Sequence, residues 1–145
     1  MKNQLYAHDL SKLKNNIALH KLVDQLMKGL LPLAVRRKSF ILNNIDRDFR
    51  LNTDEDMLAL VLWNMLNGAV TNTENECIHV DAVLNGHCTM IQVKDKGSYF
   101  YSSISDRLKQ LQPVVEKLGG FISIYSDTIK GTTIAFTISN EQKVA

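Results

Sequence analysis

The stretch Ile91-Gln92-Val93-Lys94-Asp95-Lys96-Gly97, read with the runs on either side of it, decides the fold. Ile91 and Val93 alternate with polar residues, which is the period of a strand with one buried face. Asp95 and Gly97 then close the run with turn-forming residues. Upstream, Cys77–Leu84 is separated from His87–Val93 by Asn85-Gly86. Asn-Gly between two strand-like runs predicts a hairpin, because both positions tolerate positive φ. Downstream, Phe121–Ser126 and Thr132–Ile138 read as a second hairpin, opened by Gly131-Thr132-Thr133.

Helical periods fill the intervals. Over Asp54–Thr71, Met57, Leu58, Val61, Leu62, Met65, Leu66, Ala69 and Val70 form one wide apolar stripe. Thr53 precedes Asp54-Glu55-Asp56, a capping hydroxyl followed by first-turn acids. His20–Lys38 is a second helix, and Pro32 inside it predicts a kink or break. Ser103–Leu118 is a third, with Pro113 awkward at its middle and Gly119-Gly120 at its end. Ser39–Ile45 reads as a strand and Asp48–Leu51 as a short extended piece. Met1–Asn15 reads as a short amphipathic helix on Leu5, Leu10 and Leu13. The expected fold is a two-layer α/β sandwich: a mixed, mostly antiparallel sheet with helices on one face, plus the N-terminal helix.

Composition narrows the function classes. The chain has 145 residues, 45% hydrophobic and 22% charged, enough for one domain with a single core. A net charge of +2 gives no case for nucleic acid or for a membrane surface. Charges break every long apolar stretch, so no membrane-spanning segment is expected. Asn3, Gln4, His8 and Asp9 interrupt any signal-like core, which points to a cytoplasmic location. Cys77 and Cys88 fall in neighbouring strands and either face each other or serve as reduced apolar fillers. No Cys/His spacing suggests zinc.

An aspartate at a buried strand end can accept from the exocyclic amine of an adenine, while a following glycine lets the backbone close on the ring. In order, three segments are similar to the catalytic ATP-binding domain of sensor histidine kinases, within the GHKL ATPase superfamily. Leu58–Thr73, LALVLWNMLNGAVTNT, resembles the asparagine-box helix. Ile91–Gly97, IQVKDKG, resembles the strand and first glycine box. Val114–Gly120, VVEKLGG, with FISIYSDTIKGTTIAFTI after it, resembles the family's closing helix and strands. The resemblance covers about Val23 to Ile138 and implies a Bergerat-type fold. Leu5–Val23 looks like the tail of a dimerisation helix and its linker, giving an expected division into 1–20, 21–140 and a tail, 141–145.

The resemblance also implies roles. Asp95 and Gly97 match the adenine-reading pair, and Thr132 and Thr133 match the last box, where a hydroxyl holds adenine through water. Threonines are also ordinary strand residues. Asn64 matches the first asparagine of the box, where the wider superfamily places a general-base glutamate. The second asparagine, a Mg²⁺ ligand, is replaced by Gly68. Asn67 lies one residue early, rotated by about 100° around the helix. Asn64 and Asn67 read equally as polar residues on an exposed face. Thr71 stands where a lysine often meets phosphate, and Tyr99 replaces the second glycine of the first box. The lid ending in Gly-x-Gly-Leu is reduced to Ser98–Ile104 and Ser105-Asp106-Arg107-Leu108. Arg107 and Lys109 offer charge there or form a solvated face.

His8-Asp9-Leu10 is superficially similar to the phosphoacceptor motif, but no helical hairpin fits before the domain, and His20 meets the same objection. The implied function is a non-catalytic regulatory or interaction module of two-component signalling. In that reading ATP or ADP binds weakly or not at all, and Mg²⁺ has no ligand set. Its partner would be a response regulator, a kinase, or a second copy through the N-terminal helix. The alternative is an active kinase passing phosphate to a histidine on another domain or chain, with Asn64 and Asn67 holding the metal.

Overall fold

The computed structural model describes residues 16–96, 101–127, 129 and 131–140. The expected N-terminal helix over Met1–Asn15 and the tail 141–145 lie outside them. The main sheet has the order β2 (Phe40–Asn43), β4 (Cys77–Asn85), β5 (Cys88–Asp95), β7 (Gly131–Ser139), β6 (Gly120–Asp127). β2 runs parallel to β4, and every other neighbouring pair is antiparallel. A short ribbon, missed in the sequence, pairs β1 (Asn16–Ala18) with β3 (Arg50–Asn52) and buries Ile17 and Leu51. The helices among the described residues are α1 (Leu19–Arg36), α2 (Glu55–Thr71), α3 (Tyr101–Lys109) and α4 (Gln112–Lys117).

The alternation on β5 explains the two layers. Thr89, Ile91, Val93 and Asp95 are buried, while Cys88, Met90, Gln92 and Lys94 on the other face are half-exposed. Register carries the dry face across the sheet: Val80 lies opposite Val93, Val93 opposite Ile134, and Ile134 opposite Ile124. All four helices cover that face. α2 is the central one, with Leu58, Val61, Leu62, Met65, Leu66 and Ala69 buried. It packs on α1 where Trp63 lies over Gly29, and a Cβ at Gly29 would stand 3.0 Å from Trp63 Cζ3.

Local chemistry corrects several expectations. Asp54, not Thr53, caps α2: its carboxylate accepts from the Met57 N–H at 3.0 Å, and Thr53 is buried. α1 passes through Pro32 without a break, held on both sides by buried Leu22, Val23, Leu30 and Ala34. The helix expected over Ser103–Leu118 is two helices, and Pro113 sits in the first turn of α4, where its missing N–H costs nothing. In the first hairpin Asn85 pairs with Cys88, so the two-residue loop is Gly86-His87, with φ 65° at Gly86. Each pairing shifts by two residues, so every side chain keeps its expected face. Cys77 and Cys88 do not face each other. Antiparallel pairing puts them at opposite ends of the β4–β5 hairpin, both as free thiols.

Candidate functional site

Three strand ends meet where β5 stops. Asp95, its last residue, is only 6% exposed and lies opposite Thr132 of β7, which is buried too. Thr132 lies opposite Ser126 of β6, with the two hydroxyl oxygens 3.1 Å apart. These side chains share the dry face and continue the Val93–Ile134–Ile124 row. A carboxylate and two hydroxyls therefore end an apolar platform. Gly131 makes the approach possible: its φ is 88°, and a Cβ there would collide with the Asp95 carbonyl and Lys96 Cα. Chemically, such a corner can accept from an amine and exchange hydrogen bonds with a heteroaromatic edge.

The two candidate threonines part company. Thr133 lies on the other face, opposite Lys94 and the exposed Tyr125. Ser126 was missed as a site residue. The signal that could have found it is the hairpin itself, since residues 126 and 132 are equidistant from Ile129.

On α2, the half-buried Asn64 donates from Nδ2 to the Leu60 carbonyl at 2.8 Å. Asn67 is half-buried, and its carbonyl accepts from Thr71 Oγ1 at 2.9 Å. The Gly68 carbonyl accepts from Asn72 Nδ2 at 2.7 Å and lies 3.1 Å from Thr71 Oγ1. α2 is α-helical throughout, with no π-turn to swing Asn67 into the place of residue 68. Thr71 is directed back into its own helix. Among the described residues, no group of three or more His, Cys, Asp or Glu side chains gathers to hold a metal.

β5 ends at Asp95 and α3 begins at Tyr101, so residues 96–100 make the whole connection. Gly97 and Tyr99 belong to that connection and lie outside the described residues. Arg107 and Lys109 are exposed on the last turn of α3. At the same end of the sheet, a cavity of about 320 Å³ is lined by Glu76, Cys77, His79 and Lys94–Lys96. Lys94 pairs with Asp81 at 3.3 Å. His20 is a structural residue: its Nδ1 lies 2.7 Å from the Ile45 carbonyl, so that nitrogen carries the proton and donates.

No family model matches the sequence, and no curated protein matches it. Solved structures do match in shape. The histidine kinase AdeS of Acinetobacter baumannii superposes with a TM-score of 0.76 at 11% identity, covering 88% of this chain and 67% of AdeS. The nucleotide-free catalytic domain of histidine kinase ThkA gives 0.75 at 15% identity, covering 89% of this chain and 97% of that one. The chain has the fold of a histidine kinase catalytic domain. Full-length ShkA, solved in complex with AMPPNP, gives 0.75 at 16% identity over 88% of this chain and 32% of its own. The histidine kinase catalytic fold thus accounts for nearly the whole described chain, with Asp95, Thr132 and Ser126 at three adjoining strand ends.

Proposed function

We propose that this chain is a histidine kinase-like ATPase-fold module of cytoplasmic two-component signalling, and that it works through protein contacts rather than phosphoryl transfer. The observation that carries the reading is the direct passage from β5 into α3 across residues 96–100. Phosphoryl transfer depends on positioning and on neutralising the phosphates. Backbone N–H groups of a flexible loop and a metal ion normally share that work in this fold. Here the connection is too short for such a loop, and position 68 is a glycine whose carbonyl is occupied within the helix. An unneutralised triphosphate in a partly desolvated cleft is costly. The residues present therefore fit a purine at Asp95, Thr132 and Ser126. They do not fit a magnesium–triphosphate.

The competing reading, an active kinase, draws support from that same buried Asp95–Thr132 pair and from the bound AMPPNP of ShkA. It would need Asn64 and Asn67 to hold the metal and another domain or chain to offer the histidine. The partner we favour is another two-component protein; ThkA has been solved in complex with the response regulator TrrA. Residues 1–15 would supply a second contact, between two copies. Calorimetry with ATP, ADP and adenosine, with and without Mg²⁺, separates the readings. Weak binding that ignores Mg²⁺ and is reproduced by adenosine is expected. Micromolar, Mg²⁺-dependent ATP binding would sink the proposal in favour of the kinase.

A further inference from the structure

Away from the Asp95 corner, α1 and the edge strand β2 leave a groove of about 250 Å³ between them. Asp24, Met27, Lys28, Leu31 and Ala34 of α1 and Phe40 and Ile41 of β2 line it. Leu31 is 59% and Phe40 57% exposed, and Val35, one turn past Leu31, is 64% exposed. Large apolar side chains gathered at an open groove mark a contact surface. The surroundings are cationic. α1 carries Lys21, Lys28 and Arg36 against a single acid, Asp24. That acid is already engaged: it accepts from Asn43 Nδ2 at 2.9 Å and lies 3.5 Å from His20 Nε2. Lys28, which lines the groove, and Lys38, at the turn that closes it, form no ion pair among the described residues. Lys38 also holds a φ of 56°, at a helix-ending position where glycine is usual. Backbone strain kept at an exposed lysine points to a use for that side chain.

We propose that this groove docks an acidic segment of a partner protein whose large apolar side chains enter between α1 and β2 while its carboxylates meet Lys28 and Lys38. Charge chooses this occupant over the others. Residues 1–15 carry Lys2, Lys12 and Lys14 against Asp9 alone, so the chain's own N-terminal segment meets like charge. A second copy docked by two-fold symmetry would set Lys28 and Lys38 against the same surface of its partner. The site is a cleft between two elements rather than a convex face, which suits a peptide better than a lipid surface.

A displayed random-peptide library, selected on the full chain, tests this without reference to nucleotide binding. Enrichment of acidic peptides bearing large apolar residues is expected. Leu31→Glu should weaken the selected peptides by at least about tenfold in an anisotropy titration. Lys28→Glu/Lys38→Glu should weaken them as well, and should improve binding of the same peptides with glutamates changed to lysine. All three positions are exposed, so a melting curve close to the parent's serves as the control for folding. The proposal is overturned by no enrichment, by neutral or basic winners, or by winners that bind the Leu31→Glu chain equally well. Competition by phosphatidylserine vesicles would assign the surface to a membrane instead. A dimer that Leu31→Glu dissociates would assign it to a second copy. Stronger peptide binding in Leu10→Glu/Leu13→Glu would assign it to residues 1–15.

Discussion

Replacing Gly131 by alanine would drive a methyl group into the Asp95 carbonyl and Lys96 Cα while forcing an L-residue to hold φ 88°. We expect Gly131→Ala to destabilise the fold by about 2–4 kcal/mol, read in a denaturant melt. The threonines offer a sharper test of the corner. Thr132→Val, beside Asp95, should weaken adenosine binding, whereas Thr133→Val, on the far face, should leave it unchanged; equal effects in calorimetry would contradict the geometry. At this scale the sequence revealed chemistry but not direction. Asp95 stood out because an acid ended an apolar alternation. Thr132 and Thr133 were indistinguishable, since strand parity becomes known only once the register is fixed. Ser126 was missed for a related reason: its place opposite Thr132 follows from the symmetry of the hairpin about Ile129, and that symmetry is usable only once the hairpin's register is fixed.

The end of α1 is a tight helix stop in which the Lys38 N–H bonds the Val35 carbonyl at 3.0 Å and the Ser39 N–H bonds Ala34 at 2.9 Å. Lys38 occupies the left-handed position of this motif, so Lys38→Gly should raise stability by about 0.5–1 kcal/mol, while it removes a cation from the groove. At the start of α2, Asp54→Ala should cost about 1 kcal/mol, with Thr53→Ala a poor substitute for it as a capping test. Long elements were legible because period accumulates: α2 and both hairpins lie within a residue or two of where the apolar pattern put them. Short ones were not. β1 has three residues, too few for any period to emerge; β3 was anticipated only as an extended piece over Asp48–Leu51, and the pairing of the two depends on tertiary contact between Ile17 and Leu51. Pro113 shows a related limit. It was read as a fault in one helix, when it marks the start of another.

Across the whole molecule, the core is a single apolar layer between the sheet and four helices, with Phe136, Leu62, Met65 and Ile134 fully buried. Phe136→Ala should cost about 3–5 kcal/mol within one cooperative transition. Strand order could be anticipated only as mostly antiparallel hairpins, because the parallel β2–β4 pair is joined through β3 and α2 and leaves no local mark. Under the proposed reading, the features that a magnesium–triphosphate would need are missing in two places at once, on α2 and in the short passage into α3. Gly68→Asn alone should therefore leave nucleotide binding insensitive to Mg²⁺ in calorimetry. The antiparallel β4–β5 pair has one practical consequence. Its two native thiols stand about 26 Å apart along the hairpin, one end beside the Asp95 corner and the other remote from it. A dye on Cys77 would report events at that corner, and one on Cys88 would serve as an internal reference, with no engineered attachment point required.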